Sequence, residues 1–276
     1  MVGRSGSERR EKKTADAAGE RHDPLTVRSV EKAFRVLAAF SPAHPTLSLT
    51  EIAKAADLDK SAAQRFAHTL TKLGYMKKNE NNRRLELTSK TLTMGSNYVR
   101  SNTLITKSIP YLLHLSRETE ETINLTVLDG TDIIFVSRFL SRHVLANDVV
   151  VGAKMPAFCT APGIAMLSRM APAAARAVLE QSDLKPYTAS TTYMLDALIG
   201  KIEASAAQGY ATAFEEFYHG DLSIAAAVLD AKAQPLCAFN ISVSSTRYTP
   251  EEAKARFAPL VVAAAASVSQ NVASLV

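Results

Sequence analysis

Read by the spacing of its apolar positions, the chain opens with short amphipathic helices. A longer stretch follows in which alternating segments and helices are mixed. Val30, Ala33, Phe34, Leu37 and Phe40 recur at helical spacing behind Ser29, which the pattern makes an N-cap, and Ser41-Pro42 ends that helix. Ser48-Leu49-Thr50-Glu51 has the form of a capping box, with Ile52, Ala53 and Ala56 on one face behind it. Asp57-Leu58-Asp59 breaks the pattern. Asp59 is placed to cap a second helix, in which Ala63, Phe66, Ala67, Leu70 and Leu73 form one stripe before Gly74 stops it. Residues 75–78 and 83–87 flank an Asn-rich turn and predict a hairpin. Residues 89–101, with Leu92, Met94 and Val99 apolar, predict a further helix.

The pattern changes at about Thr106. Ile109, Leu112, Leu113 and Leu115 predict a helix that runs into Arg117-Glu118-Thr119-Glu120-Glu121. Strands follow at 123–128 and 133–138, with Asp129-Gly130 between them as a hairpin signal. Helices are expected at 161–170, 172–181 and 195–208, the last stopped by Gly209. Strands return at 210–215, 223–229 and 236–244, and Pro250 opens a final helix to about Val272. Strands gathered in the middle with helices around them give an α+β class, a sheet covered by helices.

The polar face of the 60–72 helix carries the first candidate chemistry. Ser61, Arg65, His68 and Lys72 point away from its apolar stripe, with Gln64 beside them. A hydroxyl, a guanidinium, an imidazole and an amide suit base edges and phosphates. A solvated face of an ordinary bundle helix is the competing reading. The hairpin after it bears Lys77, Lys78, Arg83 and Arg84, as a wing along phosphates would, so the unit reads as a winged helix-turn-helix. Arg28 and Lys32, near the start of the first helix, are placed to touch backbone phosphate.

Charge sharpens this. The net charge of +5 conceals an asymmetry: residues 1–107 hold 20 Lys+Arg and 11 Asp+Glu, a balance of +9, and residues 108–276 hold 12 and 16, a balance of −4. A basic front and a mildly acidic back fit a nucleic-acid module joined to a domain with another task.

Leu49-Thr50-Glu51-Ile52-Ala53, then Lys60-Ser61, then Leu73-Gly74-Tyr75, in that order and spacing, resemble the DNA-binding half of the IclR family of bacterial regulators. The resemblance runs from about Leu25 to Asn271. Residues 1–24 are charged and small, cannot bury a core and are expected to be a disordered tail. The resemblance implies a winged helix-turn-helix domain over 25–88, a linker helix over 89–106 and a GAF-like effector-binding domain over 107–276. Together with the polar faces, it implies DNA contacts from Arg28, Ser48, Lys60, Ser61, Ala62, Gln64, Arg65, His68, Lys77, Arg83 and Arg84.

The second candidate site lies where an apolar segment runs into a helix start, at Met155-Pro156-Ala157-Phe158-Cys159-Thr160-Ala161-Pro162-Gly163. Amides at a helix N-terminus attract carboxylates. Asn240 and Ser242 alternate on one face of their strand, and Ser223 matches the same wall of the family's pocket. The expected effector contacts are therefore Met155, Phe158, Cys159, Thr160, Ala161, Ser223, Asn240 and Ser242, with Phe158 offered as a stacking ring and no cation placed in the pocket. The alternative for the serines and Asn240 is satisfaction by neighbouring backbone. Pro156-Ala157-Phe158-Cys159-Thr160 and Asn240-Ile241-Ser242 resemble the family's aromatic-acid branch, which answers to protocatechuate, 4-hydroxybenzoate or β-ketoadipate. Ile164, where the family usually has a basic residue, and Ala213, where many members have an acid, depart from its pattern.

Catalytic signatures are missing: there is no nucleophile elbow, P-loop, zinc-protease motif or dinucleotide fingerprint. Glu215-Glu216 is the carboxylate pair late in the chain, and acids at a strand end are usually solvated. Cys159 and Cys237 give neither a disulfide framework nor zinc spacing and read as buried thiols. No metal and no cofactor are expected. No apolar run approaches the roughly 20 residues of a membrane span, and the N-terminus is too polar for a signal peptide. The expectation is a cytoplasmic, ligand-responsive transcriptional regulator of a catabolic operon. Its partners would be double-stranded DNA, a small organic acid and a second copy of the chain, as a dimer or dimer of dimers. The alternative is an enzyme acting on such an acid through the GAF-like half.

Overall fold

The computed structural model describes residues 25–142 and 149–272, so the tail expected over 1–24 lies outside the described residues. The chain divides into two compact units, the first ending at Met94 and the second beginning at Gly95. The division falls inside the helix Lys90–Ser101, within the segment expected as a linker.

The first unit contains α1 (Arg28–Ala38), β1 (Thr46–Leu47), α2 (Leu49–Ala55), α3 (Lys60–Lys72), β2 (Met76–Lys78) and β3 (Leu85–Leu87). Its sheet has the order β1-β3-β2, all antiparallel. The short strand β1, invisible in the sequence pattern, closes the outer edge of the hairpin. The core is made by Val36, Leu47, Ile52, Ala63, Ala67, Leu70, Met76 and Leu85 with small residues between them. The α2 capping box forms as its sequence predicts: the Ser48 hydroxyl accepts from Glu51 N, and Ser48 N donates to the Glu51 carboxylate at 2.6 Å. Asp59 caps α3 by accepting from Ala62 N at 2.8 Å. Gly74 adopts φ +79°, which lets the chain turn out of the helix into β2.

Three expectations are corrected here. Val27, with extended backbone and no side-chain cap, precedes α1, so Ser29 sits inside the first turn. Val36 is the buried residue of that helix, whereas Val30 and Phe34 are 51% and 54% exposed. At about 100° per residue those two lie on the side away from Val36. Leu73, counted in the α3 stripe, is likewise exposed at the helix end.

The helix α4 (Lys90–Ser101) passes from one unit into the other and buries no side chain. The second unit continues with α5 (Thr103–Thr119), β4 (Thr122–Asp129), β5 (Asp132–Phe139), β6 (Lys154–Pro156) and a 3-10 turn (Ala157–Cys159). Then come α6 (Ala161–Leu167), α7 (Pro172–Gln181), α8 (Leu195–Gln208), β7 (Ala211–Phe214), β8 (Asp221–Leu229), β9 (Pro235–Ser244) and α9 (Pro250–Val272). Six antiparallel strands run β6-β5-β4-β9-β8-β7.

This sheet has two apolar faces, as the α+β reading requires. Along β9, Cys237, Phe239, Ile241 and Val243 join a core shared with α5 and α9, through Leu112, Leu115, Phe257, Val261 and Val268. Ala238 points the other way, into a core with the 3-10 turn, α6, α7 and α8, where Phe158, Ile164, Leu179 and Leu198 are buried. Asn240 and Ser242 share the parity of Ala238, so the same alternation aims them at this second face. At the edge of the first core Glu121 is 1% exposed and is held by Arg247 and by the Tyr248 hydroxyl.

Candidate functional site

In the first unit the exposed face of α3 presents Ser61, Gln64, Arg65, His68 and Lys72. The side chains of Ser61, Gln64, Arg65 and His68 make no hydrogen bond or ion pair among the described residues. Lys60 is exposed and Ala62 half-buried in the first turn of α3, and Arg28 is exposed at the first residue of α1. The wing turn is held by the Asn79 side chain, which accepts from Asn81 N and Asn82 N, and Arg83 adopts φ +59° at its exposed end. Lys77 pairs with Glu86 at 2.7 Å across the hairpin, and Lys78 is exposed.

Arg84 and Ser48 are committed to the scaffold, which corrects the picture of Arg84 as an open cation on the wing. Arg84 Nε donates to Thr46 Oγ1 at 3.0 Å, and its Nη2 donates to Thr46 O at 2.8 Å and to Glu51 Oε2 at 2.7 Å. The Ser48 amide, the Ser48 hydroxyl and Arg84 together hold the Glu51 carboxyl well below its ordinary range, at about 2. Arg84 thereby ties β3, β1 and the start of α2 into one piece.

In the second unit a small cavity of about 50 Å³ opens on the sheet face that carries Asn240 and Ser242. Of the expected residues, Met155, Cys159, Thr160, Ala161, Ser223, Asn240 and Ser242 line it. Asn240 Nδ2 donates to Ser223 Oγ at 2.9 Å and to Ser242 Oγ at 3.0 Å, which leaves its Oδ1 buried and unpaired. Phe158 is not on the wall. It is wholly buried, with its ring 6.2 Å from that of Tyr187, and Phe135 and Phe217 supply the aromatic lining instead. Gly163 is demanded by packing: a Cβ there would lie 2.1 Å from Ala157 O. Ile164 beside it is fully buried. The helix start is a weaker anion site than expected, because α6 spans seven residues and Pro162 removes one of its N–H groups.

The groups missed in the sequence are the strongest polar ones. Arg138 lines the cavity, so a cation is present after all. In register it stands beside Asn124, and Asn124 beside Asn240, making a polar row across β5, β4 and β9. A bulge puts it there. Val136 is an extra residue between the pairs Thr126–Phe135 and Leu125–Ser137, and it shifts the alternation so that Phe135 and Arg138 face the same side. The guanidinium lies over the Phe135 ring, 5.5 Å from its centroid. Its Nη1 donates to Val149 O at 2.7 Å, and its Nε is buried and unpaired. Burial lowers its pKa, opposed by Asp221 and Tyr218. Asp221, at the start of β8, has a buried carboxyl with an unpaired Oδ1. Burial pushes that carboxyl up to about 7, against the opposing effects of the Ser242 hydroxyl and Arg138. Asn124 Oδ1 is also buried without a partner. A polar residue amid the apolar run 123–128 was the available sequence signal.

Glu215 and Glu216 are not solvated as expected. Glu215, at φ +54°, accepts from Gly220 N and from the Ser245 hydroxyl through Oε1. Glu216 is buried, pairs with Lys201 and accepts from Thr192 N. Both read as braces of the loop between β7 and β8. The two cysteines are buried, and burial pushes the Cys159 thiol up to about 12, so it is unreactive near neutrality. Among the described residues no cluster of His, Cys, Asp and Glu is arranged to hold a metal, and no helix is long and apolar enough to cross a membrane.

Comparison with known proteins agrees with both units. Residues 29–80 match the family model of the IclR helix-turn-helix domain, and residues 96–270 match that of the bacterial transcriptional regulator IclR C-terminal domain. The Pca regulon regulatory protein of Pseudomonas putida is 32% identical over 243 residues, covering 88% of this chain and 83% of that protein. A Rhodococcus sp. RHA1 protein described as a transcriptional regulator superimposes with a TM-score of 0.77 at 28% identity, covering 91% of this chain and all of the other. An IclR homolog from Microbacterium hydrocarbonoxydans, crystallised with 4-hydroxybenzoate, shares the fold with a TM-score of 0.72 at 17% identity, covering 89% and 99% of the two chains. The families and relatives matched are regulators and not enzymes. With a winged reading unit followed by a helix-covered sheet that encloses a polar cavity, this chain belongs to the IclR family of DNA-binding transcriptional regulators.

Proposed function

We propose that the exposed face of α3 reads operator DNA and that the cavity of the second unit receives a small organic acid, most simply an aromatic one. The observation that carries the reading is the convergence of Arg138, Asn124, Asn240 and Asp221 on one cavity with four of their polar atoms buried and unpaired. Each unpaired group costs roughly 1–3 kcal/mol unless something fills the site. A carboxylate would satisfy the guanidinium, hydroxyl or water donors would satisfy the amide oxygens, and Phe135 and Phe217 would flank a ring. The name of the P. putida relative and the 4-hydroxybenzoate bound by the Microbacterium homolog support an aromatic acid drawn from catabolism.

On the DNA side, Gln64, Arg65 and His68 are assigned to base edges. Ser61, Lys60, Ala62 and Arg28 are assigned to close backbone approach, and Lys77, Lys78 and Arg83 to phosphates. Ser48 and Arg84 position α2 and the wing. A winged unit alone offers few base contacts, so a dimer on a pseudo-palindrome is expected. The exposed apolar residues Val27 just before α1, Val30 and Phe34 on α1, and Leu92 and Met94 on α4, support such pairing.

The test has two arms. A gel shift on the DNA upstream of its own gene should show specific binding that Arg65→Ala reduces toward the non-specific level. Lys77→Ala should lower the salt dependence of log K by about one ion. A thermal-shift screen of small organic acids should give hits among carboxylates, and Asn240→Ala should weaken them by about 1–2 kcal/mol. Hits confined to sugars, amines or neutral compounds would exclude the acid reading.

A further inference from the structure

The cavity is lined by one cation and one half-buried acid that make no direct ion pair with each other. Arg138 from β5 is fixed by Val149 O and by the Phe135 ring, with Nε left over. Asp221 from β8 keeps Oδ1 unpaired. The two are coupled electrostatically, and both line the same space. An incoming carboxylate bound at Arg138 therefore shares the cavity with the Asp221 carboxyl. Two ionised carboxylates cannot share such a site, whereas a carboxyl and a carboxylate can share one proton in a short, charge-assisted hydrogen bond.

We propose that the effector anion is taken up together with one proton, which Asp221 holds and donates back to the anion beside Arg138. The inference rests on the organic-acid reading above and adds to it the state in which the acid is bound. The proton comes from solvent, and no covalent bond is made. Asp221 is suited to the task because burial already pushes its carboxyl up to about 7, so a second negative charge raises it further.

The other charged and titratable groups around it do not compete for the role. Arg138 stays cationic. Cys159 on the 3-10 turn is a neutral thiol. Glu216, from the loop before β8, is paired with Lys201 of α8, and Tyr218 of the same loop faces Arg138 electrostatically. Glu215 is occupied by Gly220 N and Ser245. His219 is adjacent in sequence but exposed and off the cavity wall.

Isothermal titration calorimetry of the full chain tests this, with benzoate, 4-hydroxybenzoate, 3,4-dihydroxybenzoate and adipate as probes and the tightest of them carried forward. In two buffers of different ionisation enthalpy at pH 8, proton uptake should approach one per bound anion, and at pH 6 it should fall toward zero. The Kd should weaken about tenfold per pH unit above 7 and level off below it. Asp221→Asn should bind with a Kd that is flat between pH 6 and 8, and His219→Gln should behave as the wild type. Acid binding with no proton uptake at pH 8 and a flat Kd overturns the proton coupling and leaves the acid reading intact. Uptake that survives Asp221→Asn, or vanishes in His219→Gln, overturns the assignment to Asp221. No binding of any acid at either pH removes both readings together.

Discussion

On α3 the side chains of Gln64, Arg65 and His68 stand in solvent, whereas on the cavity face of the large sheet the buried Asn124 and Asn240 and the half-buried Asp221 each keep one buried oxygen unpaired. The same kinds of group thus carry different weight in the two units. Exposed polar groups are satisfied by water, cost the fold almost nothing and leave no energetic trace of the partner they wait for. Buried ones cost about 1–3 kcal/mol each when unpaired, and a fold retains them only if something repays the cost. The second unit therefore points to its cavity through polar groups that something must satisfy, whereas the first must be recognised by geometry and charge. Two arginine–glutamate pairs repeat the contrast. Arg84–Glu51 in the first unit is half in water, with 35% and 47% of the side chains exposed, and Arg247–Glu121 in the second leaves only 2% of the glutamate exposed.

That contrast breaks first, if it breaks, at Arg247. Arg247→Ala leaves Glu121 buried with only the Tyr248 hydroxyl and should cost about 3–5 kcal/mol in urea unfolding of the second unit. Arg84→Ala should cost about 1 kcal/mol, because its partner is solvated. Equal costs for the two variants would remove the distinction.

Asp221 comes next. Its folded pKa, about 7, lies above the ordinary 3.8, so the folded state holds the extra proton. Stability should fall as pH rises between those values and then level off, by on the order of 4 kcal/mol in all, of which about 3 falls between pH 5 and pH 8. Urea unfolding at pH 5 and pH 8 reads the change, and Asp221→Asn should abolish it. A wild type as stable at pH 8 as at pH 5 contradicts the burial of that carboxyl.

Arg65→Ala should lose about 1–3 kcal/mol of operator discrimination while the unfolding free energy stays within about 0.5 kcal/mol of wild type. A stability loss comparable to the binding loss would mean that Arg65 serves the fold. The smallest effect is expected at Glu51, whose carboxyl sits at about 2 against an ordinary 4.5. The depressed value stabilises the first unit above pH 4.5, and the contribution is lost as pH falls through about 2. Glu51→Gln should flatten a shallow decline in helicity over that window, followed by circular dichroism.

The reading unit was the more legible of the two because its signals are local. Ser48 and Glu51 lie three residues apart, Asp59 caps the helix that follows it, and the face of α3 is a matter of helical period. Even so, periodicity mistook Val30 and Phe34 for core, since a helix with apolar residues on two sides does not say which side is covered. The cavity was legible only in part. The resemblance pointed to Met155, Thr160, Ser223, Asn240 and Ser242, and all of them line it. It also pointed to Phe158, which packs behind the wall.

What the sequence determined by itself was the order and kind of the longer elements, the caps of α2 and α3, the basic front half, the buried thiols and the membership of a regulator family. These follow from interactions within one or two turns of chain or from composition. What only the tertiary structure decided was which polar groups meet. Arg138, Asn124, Asn240 and Asp221 come from four strands, and an extra residue at Val136 turns Arg138 toward the cavity. Arg84 is drawn inward by Thr46 and Glu51, contacts 38 and 33 residues away along the chain. Strand order, bulges and long-range pairing place these charges, and no local pattern encodes them because each depends on residues distant in sequence arriving at the same place.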